Sequence, residues 1–121
     1  MNDSRNFRDV VLLPLVAACL GPTCAAAGVV TPGVAVMITQ SYAYASYGGG
    51  DFVFSTSSPA PGCGSGWYIK STDPGYKAAV AVVLAAQAAG LQVIVYGDNS
   101  DLWAGSPSGR YCRLQTVGLS S

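Results

Sequence analysis

The pattern of hydrophobic and polar positions alternates with period two at both ends of the region from Val34 to Leu119 and gives way to an unbroken apolar helical stretch between them. From Val34 to Tyr44, Val34, Val36 and Ile38 alternate with Ala35, Met37 and Thr39, a period of two rich in β-branched residues that predicts a strand, continuing through Tyr42 and Tyr44. Gly48-Gly49-Gly50-Asp51 predicts a turn, since glycine enters positive φ without steric cost. Asp51 to Thr56 then reads as the returning strand of a hairpin. The Ser-, Pro- and Gly-rich stretch 57–66 is a loop carrying Cys63, and Trp67 to Lys70 is a short third strand with Trp67 in the core. Thr72-Asp73-Pro74 predicts a helix start, with Thr or Asp capping free N–H groups and Pro tolerated in the first turn. Tyr76 to Ala89 contains no breaker, and Gly90 provides a left-handed stop. Leu91 to Tyr96 is a fourth strand, 97–109 a polar loop holding Trp103, and Arg110 to Leu119 a fifth strand with Cys112, Leu114 and Thr116 opposite Tyr111, Arg113, Gln115 and Val117.

The predicted class is mainly β with one helix (α+β). Five strands in the order β-β-β-α-β-β give the element sequence of an OB-type barrel. The helix is apolar nearly all round, with Lys77 and Gln87 its main polar side chains. A surface helix needs a polar face, so this one asks for cover on two sides, by the sheet and by a sister copy. Alanines harmlessly facing water are the other reading.

The first 27 residues carry a different pattern. Arg5 and Arg8 precede the apolar run Val10 to Leu20, and Cys24-Ala25-Ala26-Ala27 ends on small residues. This is the layout of a signal peptide cleaved after Ala27, with an apolar run shorter than the roughly 20 residues a bilayer span needs. The expectation is a secreted or periplasmic protein whose working part, 28–121, is a single domain. Val16-Ala17-Ala18-Cys19 also resembles a lipobox, the alternative being a lipoprotein anchored at Cys19. Cleavage after Ala27 leaves two cysteines, Cys63 and Cys112, in a compartment where disulfides persist. Bridging them closes a loop of about 50 residues, worth about 4 kcal/mol in the chain-entropy model.

Charge narrows the function further. Residues 28–121 hold Lys70, Lys77, Arg110 and Arg113 against Asp51, Asp73, Asp98 and Asp101. That balance gives no basic stripe, so nucleic acid and anionic membrane are not expected partners. The chain has no His and no Glu, which removes the usual general bases and every Ser-His-Asp or Cys-His arrangement. The four Asp match no metal-loop spacing. No enzyme, cofactor or metal is expected. Binding is the better supported chemistry, because aromatic faces with neutral hydroxyl and amide partners hold sugars. Gln40, Ser41, Tyr42 and Tyr44, followed by Tyr47, form a polar-aromatic strip at the end of the first strand, and 42 and 44 fall on one face. Ordinary half-buried β tyrosines are the competing reading. Trp103, beside Asn99, Ser100 and Asp101, is either a barrel plug or a contact residue.

Several strings, in order, carry a resemblance: Met37-Ile38-Thr39-Gln40, the helix end Gln87-Ala88-Ala89-Gly90-Leu91-Gln92-Val93, the strand Val93-Ile94-Val95-Tyr96 followed by Trp103, and Thr116-Val117-Gly118-Leu119-Ser120. From about Val34 to Ser120 the chain resembles the B subunits of AB-type toxins of the subtilase-cytotoxin, typhoid-toxin and pertussis kind. The resemblance implies an OB-fold subunit in a ring, usually of five, with helices lining the pore, host glycans (often sialylated) bound outside, and a toxin A subunit as partner. There are departures. The serine that holds sialic acid in the sugar-binding members aligns near Val34, with Thr31 the nearest upstream hydroxyl, and the family's paired cysteines sit elsewhere. The alternative function is a small envelope or secreted protein, structural or inhibitory, that binds another protein.

Overall fold

The computed structural model describes residues 28–120, so the expected signal peptide, the lipobox alternative at Cys19 and the expected cleavage after Ala27 lie outside the described residues. The elements are β1 (Val29–Val30), β2 (Val36–Ala43), a 3-10 turn (Tyr47–Gly50), β3 (Phe52–Thr56), β4 (Gly66–Ile69), α1 (Tyr76–Ala89), β5 (Gln92–Leu102) and β6 (Tyr111–Leu119). The mainly β, single-helix class is as expected, with a sixth strand, β1, added at the start. All six strands form one sheet in the order β1-β5-β2-β3-β4-β6, and β5 also pairs with β6, so the hydrogen bonding runs in a ring. Every pairing is antiparallel except β4 with β6, which is parallel over Gly66–Tyr68 and Tyr111–Arg113.

The expected strand phases hold only in part, and two bulges explain why. In β2, Ile38 opposes Thr56 while Gln40 opposes Ser55, leaving Thr39 as the extra residue. An extra residue on one strand reverses which face its successors occupy. Val36 and Ile38 therefore point to the core, while beyond the bulge Ser41 and Ala43 register with the core residues Phe54 and Phe52 and Tyr42 with Val53 on the outer face. Val34, expected to share the inner face, lies before the strand and is exposed. In β6, Tyr96 opposes Thr116 and Gly97 opposes Leu114, so Gln115 is extra. Cys112 and Leu114 point inward as expected, but Thr116 is exposed and Val117 packs against the core.

The core joins Val36, Ile38, Phe52, Phe54, Trp67, Ile69, Val93, Val95 and Leu114 with Val83 and Ala86 of α1. Trp67 is fully buried, and a Cβ on Gly97 would lie 2.5 Å from its ring. The Cys63–Cys112 disulfide is formed, with both cysteines in this core.

Two local expectations are corrected. Neither Thr72 nor Asp73 caps the helix: its N-cap is Gly75, without a side-chain hydrogen bond. The Asp73 carboxylate instead accepts from the Lys70 N–H (3.1 Å) and from the Arg113 guanidinium. Gly90 ends α1 in the left-handed conformation, as expected, its N–H reaching the Ala86 and Gln87 carbonyls. The polar segment after Tyr96 is also no loop up to 109. β5 continues through Leu102, because Gly97 and Asp98 pair with β1 on one side and β6 on the other.

Candidate functional site

A second cluster lies on the outer face of β3 and β4, opposite the core. Tyr42, Val53, Tyr68 and Arg113 stand in register across β2, β3, β4 and β6. Trp103, at the end of β5, folds back over this row and is 5% exposed. Val53, Tyr68 and Trp103 form its buried part, with Tyr44 and Tyr111 packed against them. Ring centroids lie 5.3 Å apart for Tyr44 and Trp103 and 5.8 Å for Trp103 and Tyr111, within the range of favourable aromatic pairs.

The indole of Trp103 is fixed on every side. Its Nε1 donates to Oδ2 of the buried Asp51 at 3.1 Å, and Asp51 Oδ1 accepts the Ser71 N–H at 2.8 Å. A Cβ on Gly48, whose φ is +64°, would fall 2.5 Å from the ring, and one on Gly105 at 2.4 Å. Gly48 thus serves close approach as well as the turn. The Tyr47 hydroxyl donates to the Gly105 carbonyl at 2.6 Å and ties the two glycine loops together over the tryptophan. Trp103 is therefore packed on the outer face, and little of its ring is open to solvent.

Beside this cluster opens a cleft of about 610 Å³. Tyr47 and Gly49 form one wall, Lys70 to Thr72 another, and Tyr68, Asp101 and Trp103 the floor. Tyr47 is 60% exposed at the rim. The Lys70 ammonium forms no ion pair among the described residues. On the floor, the Tyr68 hydroxyl donates to Asp101 at 2.7 Å. Burial first, then this carboxylate, pushes the Tyr68 phenol well above its ordinary range. Asp101 and Asp73 both accept from Arg113, and the bond from Asp73 foremost holds its guanidinium charged beyond the usual arginine range.

The structure brings some of the expected strip together and separates the rest. Gln40 donates to the Tyr42 hydroxyl, and both side chains are exposed. Tyr42 and Tyr44 lie 6.2 Å apart between ring centroids, but Tyr44 sits past the end of β2 and is half-buried between Tyr42, Tyr47 and Trp103. Ser41 leaves the group: its hydroxyl donates to Gln87 Oε1 of α1 at 2.6 Å. Thr31, the nearest hydroxyl to the family's serine position, accepts the Gly33 N–H. Sequence reasoning missed Asp51, Tyr68, Lys70 and Asp101 as one locus. An aspartate directly after three glycines was the available signal for Asp51. Among the described residues no group of three or more metal-ligating side chains is clustered. No family model, curated protein or solved structure matches the chain.

Proposed function

We propose that this chain is an exported, non-catalytic subunit of the OB type that binds a glycan or glycoprotein as a homo-oligomer, in the manner of a toxin B subunit. The observation that carries the reading is the open cleft walled by the exposed Tyr47 and backed by a rigid aromatic stack, with Tyr42 and Gln40 on the adjoining surface. A tyrosine ring offers a flat apolar face to sugar C–H groups, and the flanking hydroxyls of Ser71 and Thr72 provide neutral partners. Trp103 contributes by holding that wall in place.

The barrel limb is supported by the pairing order. β2-β3-β4-β6-β5 returns to β2, with β4 and β6 parallel and α1 between β4 and β5 in sequence. Export is supported by the disulfide, which suits an extracellular or periplasmic compartment. Assembly is supported by α1. It buries Val83 and Ala86 against the sheet and leaves Leu84 48% exposed among alanines, next to the exposed Leu91. A ring, five-membered by the resemblance, would cover that surface, and a toxin A subunit is the partner such a ring carries.

A glycan array with the processed protein tests the reading, with sedimentation of the same preparation giving its mass. Retention of defined glycans is expected, weakened about tenfold or more by Tyr47→Ala or Tyr42→Ala with far-UV circular dichroism unchanged. A blank array, or a signal indifferent to both substitutions, refutes it. A monomeric mass refutes the assembly limb alone.

A further inference from the structure

β6 changes neighbours part-way along. It pairs with β4 only over Tyr111–Arg113. From Leu114 to Leu119 it pairs with β5 on one edge, and among the described residues no strand lies on the other. Backbone N–H and C=O groups on such an edge are a template for a further strand. Usually an edge of this kind is blunted by charge, proline or a covering element. Here α1 runs alongside but presents small residues, so a groove remains.

Two adjoining depressions of about 380 and 240 Å³ share Ala79, Leu114 and Gln115 and trace this groove between helix and strand. Its two ends differ in chemistry. Towards Leu119 it is lined by Ala78, Val82 and Val117, small and apolar. Towards β4 it reaches Asp73, Asp98 and Asp101 around Arg113, three carboxylates against one guanidinium. Arg113 is already committed to Asp73 and Asp101. The Asp98 carboxylate accepts from the Ser100 hydroxyl and N–H, which keeps it ionised to lower pH than usual. The mouth therefore holds a net negative charge with no cation spare.

We infer that the free edge of β6 is a docking site for an extended peptide segment, which adds as a strand beside Leu114–Leu119 with apolar side chains against Ala78 and Val82 and a lysine or arginine at the acidic end. Six strand residues span about 20 Å, so a peptide of six to eight residues suffices. Main-chain hydrogen bonds supply affinity in this mode, and pockets for alternate side chains supply specificity. The ligand class differs from that of the glycan cleft, and the two surfaces meet at Asp101, which lines both.

The test uses three labelled synthetic octapeptides of alternating valine and threonine. One begins with two lysines, one with two glutamates, and one has the lysines and alternate N-methylated backbone amides. Anisotropy with the purified protein is expected to show saturable binding of the first, weakened about tenfold or more in each of the others. Binding should slow hydrogen exchange of β6 amides beyond Leu114. Ala78→Trp, at an exposed helix position, should abolish binding with the circular dichroism unchanged, and Asp98→Asn should narrow the lysine-to-glutamate preference. Equal binding of all three peptides, or of none, overturns the inference. So does edge protection that already exists in the free protein and rises with its concentration, which would make a second copy the occupant.

Discussion

The chain's two tryptophans sit on opposite faces of the same strands, and they are held by different physics. Trp67 is fully buried in the core beside Cys112, where shape decides its fit: Gly97 is the clearance its ring requires. Trp103 is nearly as buried, yet it rests on an outer face that would otherwise be wet. Its place depends on one directed bond to Asp51, two glycine approaches and a rim of tyrosines. The inner site can relax only by leaving a cavity. The outer one can relax by letting water reach a carboxylate. Stability resides in the first, and the shape of the cleft in the second.

Three measurements separate the two faces. Trp67→Ala should cost about 3–5 kcal/mol, the range for deleting a buried aromatic side chain. Urea unfolding would register this as loss of most or all of the folded baseline, and a cost below 1 kcal/mol would contradict the assignment of the core. Trp103→Phe keeps most of the apolar volume but removes the Nε1–H donor, leaving Asp51 Oδ2 without that bond. An unsatisfied buried acceptor costs about 1–3 kcal/mol. The same unfolding assay should give a value in that span, together with weakened glycan retention from a loosened Tyr47 wall. Trp103→Phe without either effect would show that the outer cluster is not organised by Asp51.

The smallest effect concerns Tyr68. Its folded phenol is raised above the ordinary tyrosine value of about 10, so folding favours the protonated form. Stability from that difference is fully present below about pH 10 and is lost as pH rises toward the folded value. Denaturation midpoints should fall with pH above 10, and Tyr68→Phe should remove that part of the slope. An unchanged slope in the variant would place the alkaline loss elsewhere.

Periodicity made the inner face legible and left the outer one dark. β2, β3, β4, α1 and the start of β5 follow from alternation and from Gly90, since each signal lies within a few residues. The bulges at Thr39 and Gln115 were not legible: one inserted residue shifts the phase without altering the composition of the strand. Gly97 to Asp101 has turn chemistry, and it is extended only because β1 and β6 flank it, contacts that are distant in sequence. Likewise Asp73 reads as a helix cap until Arg113, forty residues on, claims it. Of the site, Tyr42, Tyr44 and Tyr47 were legible as one aromatic strip, and Trp103 only as a separate candidate. That Trp103 is fixed by Asp51, and that Ser41 turns to Gln87, depends on long-range packing.

β5 is gripped from both sides by the two ends of the described chain, β1 along one edge and β6 along the other, and it runs antiparallel to each. β1 and β6 therefore point the same way, and a pull on the two termini drags them in opposite directions along β5. The bonds between these strands stand across the direction of pull and must fail together, not one after another. The disulfide withholds the stretch between Cys63 and Cys112 from any extension that follows. A domain tethered through β1 and β6 to a moving surface would resist as a sheared clamp, with little slack to give.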